Sequence, residues 1–445
     1  MSALIWGSGQ IFNQQKLKGL FFFSCQLLLI LLELFSGHYF SPDFHWRQGG
    51  VFVRGIWGVI TLGTEPSVMT LDGLAMGDHS LMLLIQGLIG ILLLLFFMGL
   101  WLDNVRDAYA TAKGAAQSGV RISSRRWLEM SVQKSFAYFV MFPAMVMIIF
   151  FTLMPLILSF LIAFTNYNIN NMPPASLIQW RGLQNFRTLL AMDGIPGGAM
   201  WLTTFLQLLA WTFIQAVILC VIPFSLGLLQ AVLINNKRIK FKKIFRSLLV
   251  LPWAIPGMLS LINFRHVFNG TFGPLNHALL NWGIIDSNIS WLGDVHNIWL
   301  PRMTIVLIGI WLGTPYWMAM SSGVMTSISK DIYEAAEMDG ANEFQQFWKI
   351  TFPLTLSSLA PILLLSFSGA FNNFGLIYFL TEGGPHVPGF IHAGGTDILI
   401  TWIFNLTMSS RMYNMASVMS IFIFFMIAGI SLWQLPKTRA FKEDV

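Results

Sequence analysis

The sequence predicts an all-α membrane protein with eight transmembrane helices and both termini on the cytoplasmic side. Three observations predict it. Hydrophobic residues make up 55 % of the 445-residue chain and charged residues only 10 %, against about 25 % charged in an average soluble domain. Apolar runs long enough to cross a hydrocarbon core occur eight times. The 26 Lys and Arg residues fall unevenly between alternate connections. The mean hydropathy of +0.66 agrees. The net charge of +6 rests on few formal charges, so their placement matters more than their sum.

The runs are 19–36, 81–102, 136–165, 201–234, 247–265, 303–322, 354–381 and 413–434. Run 81–102 carries no formal charge. The third and fourth runs exceed a straight crossing, so they tilt or extend into water. Lys16 and Lys18 precede the first run as in a signal segment, but no small-x-small cleavage site follows at Glu33–Ser36, so it is read as retained. With the N-terminus inside, inside segments hold 19 of the 26 Lys and Arg and outside segments 7, which satisfies the positive-inside rule. The basic run Asn236–Lys243 is then a cytoplasmic anchor, not a nucleic-acid patch. Segment 51–63 is too short to cross and suits the interface. All eight histidines fall in or beside outside loops, with no metal-ligand spacing. Cys25 and Cys220 sit in apolar runs and form no CxxC pair, which fits buried apolar thiols.

What the spans lack is informative. Apart from Glu33, no Asp, Glu, Lys, Arg or His lies well inside a span. Ion-driven carriers and proton relays use such groups, which are costly in a bilayer. Glu33 reads as a carboxylate reaching outward to the interface, with a relay role as the alternative. The chain also holds no motor. The dipeptide Gly-Lys never occurs, so there is no GxxxxGK[ST] phosphate loop, and GxSxG and HExxH are absent. No catalytic residue, cofactor or metal is indicated. The composition fits a pathway for a neutral, hydroxylated solute moved by an external motor.

The most specific segment is cytoplasmic and lies between the sixth and seventh runs. Ser329 is placed to cap a short helix, with Asp331 in its first turn. Gly340 stops that helix where a left-handed residue is wanted. Asn342 and Gln345 have capping-box spacing for a second helix, and Pro353 closes the loop. Ala335 and Ala336 give a small face for close approach, and Glu334 offers a carboxylate to a basic partner. Glu334, Ala335, Ala336, Gly340, Ile350 and Pro353 match the EAA loop of ABC importer permeases, in which Phe352 stands where Leu is usual. This resemblance implies that Glu334, Ala335, Ala336, Asp339, Gly340, Ala341, Ile350 and Pro353 couple the chain to a separate ATPase.

The likeness extends over roughly 137–436. Leu251–Pro256, Phe268-Asn269-Gly270, Gly273–Asn276, Trp311–Tyr316, Phe371–Phe374, Leu380–Pro385, Gly395-Thr396-Asp397 and Gly182–Phe186 resemble the corresponding stretches of sugar permeases. The chain resembles the MalF-type permease subunit of carbohydrate (maltose/maltodextrin-like) ABC importers, in its Gram-positive version, to which Gly7–Gln10 and Lys18-Gly19 also conform. The connection 166–200 has no room for the large insert of the enteric type. The resemblance implies a type I ABC importer permease fold. Its divisions are 1–135, an N-terminal region with the interfacial segment and two spans, 136–436, a six-helix core with the loop 323–353, and 437–445, a cytoplasmic tail. It implies a midplane pocket of Leu312, Gly313, Tyr316, Ser366, Gly369, Ala370 and Asn373, where Gly369 and Ala370 replace a Phe-Asn pair of the maltose type. Implied partners are a MalG-like second permease subunit, a cytoplasmic ATPase dimer, an extracellular substrate-binding lipoprotein, an oligosaccharide and membrane lipid, with no nucleic acid. The expected function is one half of the translocation pathway of an ATP-driven oligosaccharide importer in the bacterial plasma membrane. The alternatives are another neutral sugar or glycoside of the same class, or an ion-driven secondary carrier.

Overall fold

The structure, a computed structural model, describes residues 1–41, 45–70, 73–75, 77–118, 136–138, 140–191, 197–236 and 239–434. The basic residues of 121–134, 237–238 and the tail 437–445 lie outside them. Among the described residues six helices are long and apolar enough to cross a membrane, and a bent pair makes a seventh candidate. The chain divides into two compact units, 1–185 with 412–414, and 186–411 with 415–445.

In the first unit a short helix α1 (Ser8–Phe12) precedes α2 (Lys16–Ser36). Then come α3 (Val51–Thr61), a small hairpin of β1 (Val68–Thr70) and β2 (Gly73–Ala75), and α4 (Ser80–Ser118). The hairpin departs from the all-α expectation, so the protein is mostly helical. Helix α4 continues sixteen residues past the apolar run that ends at 102. It does so because Asp103–Ser118 holds no proline and only one glycine, Gly114. Helix α3 runs antiparallel along α4. Val51 meets Gly90, Gly55 meets Gly87 and Gly58 meets Leu83, and an added Cβ on Gly90 would come within 2.8 Å of the Val51 carbonyl oxygen. Small residues that let backbones approach are the usual means of packing helices in lipid.

Residues 1–13 fold back onto α4. The fully buried Asn104 accepts from the Gly7 N–H at 2.9 Å and donates to the Ser2 carbonyl at 2.7 Å. The Gln10 amide donates to the Asn104 carbonyl at 2.8 Å, and Lys18 pairs with Asp107. Helix α5 (Val140–Ile162) contains a π-helical turn at Ile149–Leu153. The Asn185 amide donates to the carbonyls of Ala163 and Thr165 at 2.8 and 2.7 Å, which ties the motif Gly182–Phe186 to the end of α5.

The second unit begins in α6 (Gln184–Leu189) and continues with α7 (Gly198–Asn235), α8 (Lys242–Ala254), α9 (Gly257–Val267) and α10 (Pro274–Asn281). Next come α11 (Trp299–Ser327), α12 (Lys330–Met338) and α13 (Glu343–Gln346). After a second π-turn at Phe347–Thr351 the chain forms α14 (Phe352–Phe371), α15 (Phe374–Thr381), α16 (Leu399–Met408) and α17 (Tyr413–Gln434). Helices α7 and α11 run parallel in close contact. Pro223 meets Gly313, and a Cβ on Gly227 would lie 2.6 Å from the Met318 nitrogen. Trp211, Leu261, Ile305, Val306, Ile308, Leu376, Ile377, Leu380 and Ile398 form an apolar cluster in this unit.

The fifth expected span is not one straight helix. Helices α8 and α9 meet at a bend of 87°. Pro256 holds Ile255 out of the helical region (φ −87°, ψ 135°) and denies the turn a donor. The seventh expected span is interrupted at Asn372 and Asn373, where α14 gives way to α15, yet Glu343–Thr381 is still one candidate span.

Candidate functional site: the connecting loop and the cleft at the broken helix

The loop between α11 and α14 has the local structure its sequence dictates. The Ser329 hydroxyl accepts from the Asp331 N–H at 3.2 Å and starts α12. Gly340 ends it with φ +79°, a conformation L side chains resist. Asn342 and Gln345 form the reciprocal capping box, at 2.8 and 3.0 Å. Glu334, Ala335, Asp339, Gly340 and Pro353 are exposed, whereas Ala336, Ala341 and Ile350 are half-buried. Around them the apolar side chains of Met338 (88 % exposed), Phe344 (71 %), Trp348 (51 %) and Ile332 (45 %) are uncovered.

Beyond this loop the turn widens before α14. The Phe352 N–H reaches back five residues to the Phe347 carbonyl, and Pro353 follows. Helix α5 repeats the pattern, with Met154 N–H on the Ile149 carbonyl and Pro155 next. A proline ring presses on the carbonyl four residues back, and a π-turn widens the backbone at that point.

The break between α8 and α9 opens a cleft of about 410 Å³ lined by Pro252, Trp253, Ala254, Ile255, Pro256, Gly257 and Leu312. Trp253 is 57 % exposed, and its ring lies 6.2 Å from that of Tyr316. Trp311, also half-exposed, meets Phe264 edge-on at 5.1 Å. An unwound backbone and aromatic faces beside a span suit a hydroxylated ring, whose C–H surface packs on aromatics while its OH groups need polar partners.

Of the seven residues expected to line a pocket, the structure brings Leu312 into this cleft and Tyr316 against its wall. Gly313 points elsewhere, with its Cβ direction 3.3 Å from Pro223. Ser366, Gly369 and Ala370 lie on α14 and are not part of the cleft lining. Gly369 has open space where a side chain would be, and the Asn373 side chain caps α15 by accepting from the Leu376 N–H at 3.3 Å. Sequence reasoning passed over Trp253, Ile255 and Pro256 as cleft residues. The signal was present in Pro252 and Pro256, a pair that a straight span does not tolerate.

The loop after α15 is held firmly. The Thr204 and Thr212 hydroxyls of α7 accept from the N–H groups of Ile391 and Leu399, at 3.2 and 3.1 Å. The buried Arg302 guanidinium lies 4.6 Å from the Trp211 ring and donates to the Gly395 carbonyl at 2.9 Å. Asp397 is fully buried. It accepts from the Gly394 N–H at 2.8 Å and the Asn405 amide at 3.3 Å. Its Oδ1 has no partner among the described residues, and burial pushes the carboxyl up to about 6 against these hydrogen bonds. A Cβ on Gly383, already at φ +88°, would sit 2.1 Å from that Oδ1.

Comparison with known proteins places this arrangement. Residues 223–439 match the family described as binding-protein-dependent transport system inner membrane component. The galactooligosaccharides transport system permease protein GanP of Bacillus subtilis (strain 168) is 36 % identical over 442 residues, covering 99 % of this chain and 97 % of that protein. The maltodextrin transport system permease protein MdxF of the same organism is 32 % identical over 449 residues, covering 99 % and 95 %. A solved bacterial ABC transporter involved in import of the acidic polysaccharide alginate shares the fold, with a TM-score of 0.56 at 20 % identity over 70 % of this chain and 98 % of that one. The chain belongs to the family of binding-protein-dependent transport system inner membrane components. It is a multi-pass membrane permease subunit of an ABC importer, and not an enzyme, since in this family ATP is hydrolysed on a separate subunit.

Proposed function

We propose that this chain forms one half of the translocation pathway of an importer for neutral oligosaccharides, in the class of maltodextrins. The observation that carries the coupling part is the exposure of α12 and the turn after it. Glu334, Ala335, Ala336, Asp339, Gly340, Ala341, Ile350 and Pro353 shape a protruding lever, and Met338 and Phe344 lie bare beside it. Apolar side chains held in water mark a docking surface. The occupant is one subunit of a cytoplasmic ATPase dimer, whose closure pushes the loop and switches the membrane subunits between inward- and outward-facing states.

The rest of the assembly follows from that reading. A MalG-like permease packs on exposed apolar helices of this chain and forms the other half of the pathway. A binding lipoprotein delivers the sugar from outside. All eight apolar runs cross, including 413–434, where α17 is 22 residues long. Both termini are then cytoplasmic. The divisions 1–135, 136–436 and 437–445 stand as functional regions. Residues of α11, of α14 and of the α15 N-cap (Leu312, Gly313, Tyr316, Ser366, Gly369, Ala370 and Asn373) contact the sugar in one or another state.

A galactooligosaccharide is the second reading, favoured by the higher identity to the galactooligosaccharide permease, 36 % against 32 %. Deleting the gene and restoring it on a plasmid, with uptake of labelled maltotriose and galactobiose measured in each strain, tests the function. Loss and recovery of one or both is expected. Uptake of both unaffected by the deletion would contradict the proposal.

A further inference from the structure

Helix α12 touches the rest of the protein through one narrow face. Tyr333 and Ala336, three residues apart, are its only side chains that are not exposed. The Tyr333 hydroxyl lies 2.9 Å from the Thr351 hydroxyl. Thr351 is buried, 5 % exposed, and is the last residue of the π-turn that leads into α14. Its hydroxyl also lies 3.5 Å from the Gln346 carbonyl, five residues back, so it bridges the widened turn itself. The aromatic rings of Phe347, Trp348 and Phe352 pack around the same turn, at 5.2 to 6.2 Å.

We infer that Tyr333 and Thr351 are the strut through which movement of α12 reaches α14. The inference rests on the functional reading above and deepens it, since neither residue belongs to the eight loop positions picked out by their likeness to the EAA pattern. A lever transmits force only where it is attached, and among the described residues this is the one side-chain hydrogen bond from α12 to the base of α14. A π-turn holds one residue more than an α-turn, so it has two neighbouring arrangements, wide and regular. A bond made at its last residue biases which is occupied. Once that turn moves, α14 moves with it, and Ser366, Gly369 and Ala370 are on that helix, beyond Pro361.

Tyr333 and Thr351 are thus positioning residues acting through α14. The test uses the whole complex in proteoliposomes, with labelled maltotriose or galactobiose, and reads sugar molecules imported per ATP hydrolysed. Tyr333→Phe and Thr351→Val each remove the bond with little change of volume. Each should lower the ratio at least about threefold (~0.7 kcal/mol of coupling). The double variant should be no worse than either single one, and Thr351→Ser should restore the ratio. A merely structural role would lower the amount of assembled complex and leave the ratio alone. An unchanged ratio in both single variants, or effects that multiply in the double variant, would overturn the strut. Failure of the unsubstituted complex to import either sugar with ATP would overturn the functional reading, and the strut with it.

Discussion

The Glu33 carboxylate, near the end of α2, accepts a 2.7 Å hydrogen bond from the backbone N–H of Phe52 in the first turn of α3. It also accepts from the N–H groups of Gly50 and Val53, at 3.1 and 3.3 Å, and from the Tyr39 hydroxyl. The Ser36 hydroxyl takes the N–H of Val51 at 2.9 Å. The free donors that begin every helix are therefore satisfied from the preceding helix, as they must be where water is scarce. The one acidic residue within a span is thus a helix cap.

Replacing Glu33 with Ala should release that cap, at a cost of about 1–2 kcal/mol. Hydrogen exchange of the amides from 50 to 54 should rise while the amides of α11 are unaffected. Unchanged exchange at 50–54 would show that other groups hold α3.

Gly340→Pro should leave membrane insertion intact and abolish uptake. Proline locks φ near −65°, whereas Gly340 sits at +79° and its N–H bonds the Glu337 carbonyl at 3.0 Å. Membrane content by immunoblot and uptake in the same cells provide the check. Normal uptake would remove the lever role from this turn.

Leu312→Trp should fill the cleft at the α8–α9 break, and Trp253→Ala should strip its exposed aromatic face. Either change should weaken transport of the sugar by roughly tenfold, equal to about 1.4 kcal/mol, without loss of complex. Wild-type concentration dependence of uptake in both variants would place the solute elsewhere.

Asp397 predicts a pH dependence of definite sign. Its carboxyl is pushed up to about 6 in the fold, from about 3.9 in an unfolded chain. The fold therefore disfavours the charged form. Its contribution is fully present below about pH 4, is lost as pH rises to about 6, and is constant above that. Asp397→Asn should flatten this window and raise stability at pH 7 by on the order of 3 kcal/mol. Thermal unfolding of the purified complex at pH 4.5 and 7 measures it. A variant with the same pH slope as the parent would assign the slope to other groups.

The long apolar runs and the caps of the connecting loop were legible because each rests on local chemistry. Ser329, Gly340, Asn342 and Gln345 all act within a few residues of themselves. The cleft was less legible. Its walls come from the α8–α9 break and from α11, some 60 residues apart, and hydropathy averages over the prolines that break the helix. The partner of Glu33 was hidden for a related reason, since a cap supplied from another helix leaves no short-range spacing to read. The Tyr333–Thr351 contact spans 18 residues and depends on a π-turn, which no periodicity announces.

The central claim is that this chain transports only when driven by a nucleotide engine on another subunit. The direct measurement is accumulation of labelled maltotriose or galactobiose in proteoliposomes holding the two permease subunits, with and without the ATPase, at fixed ATP and with ion gradients collapsed. Uphill accumulation that requires both the ATPase and ATP is the predicted result. Uphill accumulation by the permease subunits alone, sustained by an ion gradient, would contradict it.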